Sequence, residues 1–88
     1  MKLLFLKSFL RDIEKLKDHK IKQHIKTQIE KIKNAQKLSE IQQLKKMKGH
    51  PYAYRIRAGD YRLGLFIEKD VVTLIRCVKR NDIYKLFP

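Results

Sequence analysis

The spacing of apolar residues changes once along this chain, near Gly49-His50-Pro51, and this change constrains the fold more than any other feature. Before it, four isoleucines recur at the intervals expected of one face of an α-helix: Ile21, Ile25, Ile29 and Ile32. After it, apolar and polar residues alternate, which is typical of a β-strand. The sequence therefore predicts helices in the first half and a sheet in the second.

The first half divides into a strand and two helices. The apolar run Leu3–Leu6 predicts a short buried strand. Ser8 is placed to cap a first helix that ends near Asp18-His19. The second helix carries the isoleucines and ends within residues 34–39. Residues 40–48 are expected to add a loose helical turn, with three apolar side chains facing inward: Ile41, Leu44 and Met47.

The second half predicts an antiparallel meander. Strands are expected over residues 52–57, 61–68 and 71–78, because the turns between them are short. Residues 81–87 predict a final helical turn. The fold class is therefore α+β, in the order β-α-α-β-β-β, with residues 1–88 as a single domain. The helices need only one face of the mostly antiparallel sheet, so the other face is expected to be free.

Charge points to a polyanionic partner. The net charge is +13 on 88 residues, and such a surface attracts nucleic acid by releasing its condensed counterions. An anionic membrane surface, an acidic protein or simple solubility would also fit. No apolar run approaches the roughly 20 residues of a membrane-spanning helix or the roughly 7–15 of a signal sequence. With Cys77 as the only cysteine, we expect no intramolecular disulfide and a cytoplasmic location.

The two kinds of cation are unevenly distributed. Residues 1–50 hold thirteen of the sixteen lysines, whereas residues 51–88 hold five of the six arginines and all four tyrosines. Arginine grips phosphate through two parallel hydrogen bonds and stacks on bases, and tyrosine adds a stacking surface. The predicted sheet is therefore the candidate RNA-binding surface.

Strand geometry places several arginines together. Arg55 and Arg57 are two residues apart and leave the same face of a strand, while Tyr54 and Ile56 should face the helices. If the meander pairs as its turns suggest, two further arginines join them on the open face: Arg62 and Arg80. An alternative is that these arginines merely keep an exposed sheet face hydrated.

Other kinds of site find little support. No cluster of His, Cys, Asp and Glu has zinc-ligand spacing, and there is no Gly-rich phosphate loop, so no metal or cofactor is expected. Cys77, in the middle of a strand, is interpreted as a core residue.

Three segments together resemble RelE-type toxins of the RelE/ParE superfamily. They are Leu44–His50, Tyr54–Arg62 with its "GDYR" turn, and Lys79–Tyr84, which reads "KRNDIY". The resemblance covers nearly the whole chain. It implies a ribosome-dependent mRNA endonuclease without a metal, in which the 2′-hydroxyl of RNA attacks the adjacent phosphate. It also implies catalytic roles for a set of second-half residues: Arg55, Arg57, Arg62, Arg80 and Tyr84. Lys79 is added as a further catalytic candidate.

The family pattern has lysines where this chain has Arg55 and Arg57, and one of those lysines can act as a base. Arginine, with a pKa above roughly 12, is a poor base. Lys79, Tyr84 or His50 would take that role, or catalysis would rely on electrostatics alone.

The resemblance also implies partners. An acidic antitoxin would bind the apolar faces of the two helices or the edge of the sheet. Contacts with mRNA or ribosomal RNA are expected from a second set of residues: Lys45, Lys46, Lys48, Tyr61 and Arg76. Two alternatives remain at this stage. One is a ParE-like inhibitor of DNA gyrase, and the other is an RNA-binding module without catalytic activity.

Overall fold

The computed structural model describes all residues 1–88 and has the predicted α+β architecture. Five strands form one mixed sheet in the order β1-β5-β4-β3-β2, in which β1 is parallel to β5 and all other pairs are antiparallel. The elements are β1 (Lys2–Phe5), α1 (Lys7–Lys15), α2 (His19–Asn34), β2 (Leu44–Lys46), β3 (Ala53–Ala58), β4 (Tyr61–Glu68), β5 (Val71–Lys79) and α3 (Ile83–Leu86).

The main core lies between the sheet and the first two helices. Phe9 of α1 and Ile25 and Ile32 of α2 are buried against the alternating apolar residues of the strands. As predicted, Tyr54 and Ile56 belong to this side of the sheet. The isoleucine spacing of α2 thus directs one helix face inward, and burying it supplies most of the helix's stability.

The opposite face of the sheet is only partly open, which differs from the prediction. A second apolar cluster covers it, formed by the C-terminal residues Ile83 and Phe87 on Ala53 and Val78. Gly64 is buried directly beneath the Phe87 ring, and a Cβ on Gly64 would lie 2.6 Å from the ring Cγ. The C-terminal segment therefore covers the middle of this face around Gly64, and Arg57 and Arg62 lie nearer the β3–β4 turn.

The prediction of a helical turn over residues 40–48 is wrong. A short 3-10 helix occupies Leu38–Glu40, and Leu44–Lys46 form the edge strand β2, paired with Tyr54–Ile56 of β3. Three apolar residues at intervals of three satisfy helical spacing, but in so short a segment the backbone partner offered by β3 decides the conformation.

Two predictions at the N-terminus are also wrong. Ser8 does not cap α1, because its hydroxyl donates instead to the carbonyl of Ile75 at 2.6 Å. The strand β1 is not buried, since it lies at the sheet edge and exposes 45% of both Leu4 and Phe5. Helix α1 ends at Lys15, and Asp18 instead caps α2 by accepting from the backbone N–H of Lys20 at 2.8 Å.

An extra residue in β5 forms a bulge. Leu65 pairs with Leu74 and its neighbour Gly64 pairs with Arg76, so Ile75 has no partner in β4. Helix α1 satisfies the backbone here, because Ser8 binds the Ile75 carbonyl and the Asp12 carboxylate accepts from the Cys77 N–H at 2.9 Å. Hydrogen bonds with side chains of α1 therefore replace the strand pairing that is missing at the bulge.

Candidate nucleic-acid interface

The β3–β4 hairpin places two arginines side by side. Ala58 pairs with Tyr61 across a two-residue turn, Gly59-Asp60, and Arg57 pairs with Arg62. Gly59 has φ +63°, which fits the first position of a type II′ turn and is strained for any other residue. Directly paired residues in antiparallel strands lie about 5 Å apart at their Cα atoms and project to the same side.

Three hydrogen bonds to backbone carbonyls hold this end of the sheet together. The N–H of Arg80, which follows β5, donates to the carbonyl of Asp60 at 2.9 Å and ties the end of β5 to the turn. Nη1 of Arg62 donates to the carbonyls of Gly59 and Tyr61, each at 3.0 Å. This fixes the Arg62 guanidinium while its Nε and Nη2 remain available to a ligand.

The electrostatics show that these arginines converge. Partial burial, and then the charges of Arg57, Arg80 and Arg55 in that order, lower the pKa of Arg62 from its ordinary value. No carboxylate compensates, since the only salt bridge in the structure joins Arg76 to Asp12. We call Arg55, Arg57, Arg62 and Arg80 the arginine cluster. Its mutual repulsion would be relieved by a bound anion.

Tyr84 joins the arginine cluster from the C-terminal segment. The guanidinium carbon of Arg55 lies 5.4 Å from the centre of the Tyr84 ring, within the range of a cation–π contact. Tyr84 is 64% exposed, so its ring is available for stacking. Ile83 and Phe87, on either side of it in sequence, are buried, and they hold Tyr84 in place.

Arg76 does not join the arginine cluster. Its Nε and Nη2 donate to the two carboxylate oxygens of Asp12 at 2.8 and 3.2 Å, and these hydrogen bonds raise the pKa of Arg76. Its guanidinium is therefore occupied by an internal partner and is separate from the other sheet arginines.

Other residues singled out from the sequence are dispersed. Tyr61 packs against the main core, and Lys79, its partner across the sheet, projects to the same helix-covered side. Lys45 pairs with Arg55 and lies on the arginine-bearing side, whereas Lys46 pairs with Tyr54 on the other. Lys48 is exposed in the β2–β3 loop.

His50 and Cys77 are structural residues. The His50 ring is stacked on Phe66 at 4.7 Å, and its Nδ1 accepts from the N–H of Tyr52 at 3.1 Å. Burial first, and then the Asp12 carboxylate, raise the pKa of the Cys77 thiol to about 12. A thiol held neutral in this way is a poor nucleophile, in agreement with its interpretation as a core residue.

Two grooves flank the helices. A groove of about 720 Å³ between β1, α1 and α2 has an apolar floor that includes Leu3, Phe9 and Ile29. A second groove of about 770 Å³ lies along α2 and is lined only by polar residues and glycine, among them Arg57 and Gly59. The sequence analysis did not identify this polar groove, because periodicity marks the buried face of a helix and leaves its polar faces equivalent. No helix in the structure is long and apolar enough to cross a membrane.

A similar curated protein and similar solved structures indicate one family, although no family model does so. No protein-family model matches the chain. Toxin RelE3 of Methanocaldococcus jannaschii is 38% identical over the full length of both chains. The toxin in the crystal structure of a RelB-RelE antitoxin–toxin complex from Methanococcus jannaschii is 36% identical, with a TM-score of 0.78 over 97% of this chain and 99% of that one. The isolated E. coli RelE toxin is 25% identical, with a TM-score of 0.63 over 97% and 92%. With this identity to a curated relative over its whole length, the chain belongs to the RelE toxin family.

Proposed function

We propose that this protein is the toxin of a toxin–antitoxin pair and cleaves mRNA on the ribosome, in the cytoplasm, without a metal ion. The observation that carries the proposal is the arginine cluster, in which the pKa of Arg62 is lowered and no carboxylate neutralises the guanidiniums. Cations that repel one another in the absence of ligand are suited to a site where negative charge increases during the reaction.

The proposed reaction uses the 2′-hydroxyl of RNA as the nucleophile. Its oxygen forms a bond to the adjacent phosphorus, its proton passes to a base, and the bond to the 5′-oxygen breaks as that oxygen takes up a proton. The products are a 2′,3′-cyclic phosphate and a 5′-hydroxyl. The guanidiniums of Arg62 and its neighbours would stabilise the extra charge on the phosphorane, and DNA would not react because it lacks the 2′-hydroxyl.

The candidate bases occupy different places. Lys79 projects to the helix-covered side, and His50 is stacked on Phe66. Only Tyr84 contacts the arginine cluster. We assign Tyr84 to stacking on a base next to the scissile phosphate, and we attribute the rate enhancement mainly to the guanidiniums.

A cleavage assay on translating ribosomes tests the proposal. Arg62→Ala and Arg80→Ala should each lower the rate of mRNA cleavage about 100- to 1,000-fold, as for the loss of other transition-state donors. Arg11→Ala is the matched control, because Arg11 is an exposed arginine of α1 outside the cluster. Intact mRNA with the wild-type protein would contradict the nuclease. Stalled gyrase in a parallel assay would then favour the ParE-like alternative, and simple retention on RNA would favour a binding module.

The partner that we propose is an acidic antitoxin of the RelB type, the kind of protein bound to the toxin in the Methanococcus jannaschii complex. The apolar groove between β1, α1 and α2 is its proposed binding site. Four lysines and one glutamate accompany the apolar floor: Lys2, Lys22, Lys26, Lys33 and Glu30. An amphipathic acidic segment complements such a surface in both polarity and charge.

Substitution in the apolar groove tests this site. Leu10→Lys should weaken binding of the antitoxin by at least tenfold, because Leu10 lines the groove and is 48% exposed. Leu4→Lys is the control, since Leu4 is similarly exposed at 45% but does not line the groove. Equal affinities of the two variants, measured by calorimetry, would contradict this site, and weaker binding by Leu4→Lys would place the antitoxin on the β1 edge.

We also propose that Lys45, Lys46 and Lys48, which are exposed, contact phosphates of ribosomal RNA. Neutralising all three should reduce the slope of log affinity against log salt by roughly two, on the basis of about 0.7 per phosphate contact in single strands. An unchanged slope for ribosome binding would remove these lysines from the interface.

A further inference from the structure

The polar groove along α2 differs chemically from every other concavity of comparable size in this protein. Its helical wall is a stripe of residues at intervals of four, three and four: Lys20, His24, Thr27 and Lys31. The facing wall consists of Gln43, Arg57 and Gly59. No apolar and no acidic side chain lines it. A groove of this kind offers hydrogen-bond donors and positive charge but no surface on which a protein's apolar residues could be buried.

The polar groove is continuous with the arginine cluster. Arg57 belongs to both, because it lines the groove and its charge lowers the pKa of Arg62. Gln28 of α2 donates from Nε2 to the backbone carbonyl of Arg57 at 2.6 Å, which ties the helix to the end of β3. Because β2 pairs only as far as Ile56, Arg57 lies at an uncovered end of β3, where a ligand can pass from the cluster to the groove along α2.

The position of the turn leaves little freedom at this junction. A Cβ on Gly59 would lie 3.1 Å from Cδ1 of Ile21, and Gly59 has φ +63°. The turn therefore packs closely against Ile21 of α2 at the point where the groove meets the cluster.

The length and charge of the stripe fit an extended polyanion. Lys20 and Lys31 are separated by about 16 Å along the helix axis, at about 1.5 Å per residue. Cations spaced over such a distance, with Arg57 on the facing wall between them, match successive phosphates of a chain better than a single small anion. The stripe is also distinct from the lysines at the rim of the apolar groove, which lie on another face of α2.

We infer that the polar groove along α2 binds the phosphate backbone of single-stranded RNA on one side of the nucleotide held at the arginine cluster. The inference rests on the proposed function, because the cluster must hold RNA for the groove to receive its continuation. Lys20, Lys31 and Arg57 bind the phosphates, while the amide and hydroxyl groups between them bind riboses or base edges. The groove therefore selects a substrate that extends beyond the cleaved linkage.

The test compares RNA of two lengths, made unreactive by 2′-O-methyl groups. Wild-type protein should bind an oligonucleotide of about twelve nucleotides more tightly than one of about four. The double variant Lys20→Gln/Lys31→Gln should lose about 20-fold in affinity for the longer one at ~0.1 M salt, and its salt slope should fall by about 1.4, the value for two phosphate contacts. Its affinity for the shorter one should change little.

The matched control is Lys7→Gln/Lys15→Gln. It removes the same charge from exposed positions of α1 that line neither groove, so it reports the effect of net charge alone. If both double variants weaken binding to the same extent, or if the α2 variant behaves as wild type, the groove inference is overturned while the proposed function stands. If wild-type protein binds neither oligonucleotide and cleaves no mRNA on ribosomes, the proposed function itself fails.

Discussion

Two arginines of the same sheet, Arg62 on β4 and Arg76 on β5, have opposite electrostatic environments. Arg76 binds Asp12 through two hydrogen bonds, and its pKa is raised. Arg62 has three arginines as charged neighbours and only carbonyl groups as hydrogen-bond partners, and its pKa is lowered. The same side chain thus stabilises the fold in one region and is left without a counter-charge in the other.

The different environments of Arg76 and Arg62 reflect where this protein places its few carboxylates. Nine acidic residues face twenty-two lysines and arginines, yet the one buried carboxylate, Asp12, lies at the β5 bulge and not at the arginine cluster. A carboxylate at the cluster would relieve repulsion in the empty protein but would compete with a phosphate for the same guanidiniums. We call the surroundings of Arg76 and Asp12 the paired region, and the arginine cluster with the C-terminal segment beside it the unpaired region. Mutations in the paired region should alter stability, and mutations of the cluster arginines should alter binding and catalysis.

Removal of the carboxylate in the paired region should have the largest effect on stability. Asp12→Ala leaves the Cys77 N–H and the Arg76 guanidinium without a partner, and we expect the free energy of unfolding to fall by about 3 kcal/mol. Urea denaturation measures this change. Asp12→Asn, which can still accept one hydrogen bond, should lose less, and a loss as large as that of Asp12→Ala would show that the charge, and not the hydrogen bond alone, supplies the stability.

Crowding beneath the C-terminal segment should cause the next largest loss of stability, and it should also disturb Tyr84 in the unpaired region. Gly64→Ala places a methyl group against the Phe87 ring, and such overpacking typically costs about 1–3 kcal/mol. The shift of Phe87 would also displace Tyr84 and reduce mRNA cleavage. In the double variant Gly64→Ala/Phe87→Leu, the free energy of unfolding should fall by less than the sum of the two single decreases. Strict additivity in a double-mutant cycle would argue against this contact.

The paired region should also carry a specific pH dependence at high pH. Cys77 has a pKa raised from 9.0 to about 12, so the unfolded chain releases the thiol proton before the folded protein does. Its contribution to stability is complete below pH 9 and is lost as the pH rises toward 12. Between these values the stability of the wild-type protein should fall more steeply than that of Cys77→Ala, by at most about 1.4 kcal/mol per pH unit. Parallel stability profiles from urea titrations would contradict the shift.

The smallest effect that we predict is stabilisation of the unpaired region by phosphate. Inorganic phosphate should raise the thermal midpoint of the wild-type protein by a few degrees, corresponding to about 1 kcal/mol or less. Arg57→Gln/Arg80→Gln should lose most of this response at matched ionic strength with chloride. A full response in that variant would mean that the anion binds elsewhere on this basic surface.

Several local features could be predicted because they depend on residues close in sequence. The apolar isoleucine face of α2, the β3–β4 hairpin and the shared face of Arg55 and Arg57 all follow from helical or strand spacing and from a short turn. The failures have long-range causes. The strand β2 forms because β3 offers a partner, and the Ser8 hydroxyl binds Ile75, which is 67 residues away.

The sequence by itself determined the order and type of most elements, the concentration of arginine and tyrosine in the sheet, and the family. Only the tertiary structure decided which arginines are paired, which part of the open face the C-terminal segment covers, and that the polar groove meets the cluster at Arg57. The physical reason is that periodicity describes how a chain presents its own side chains. Ion pairs, bulges and grooves depend instead on the distance between segments that only folding brings together.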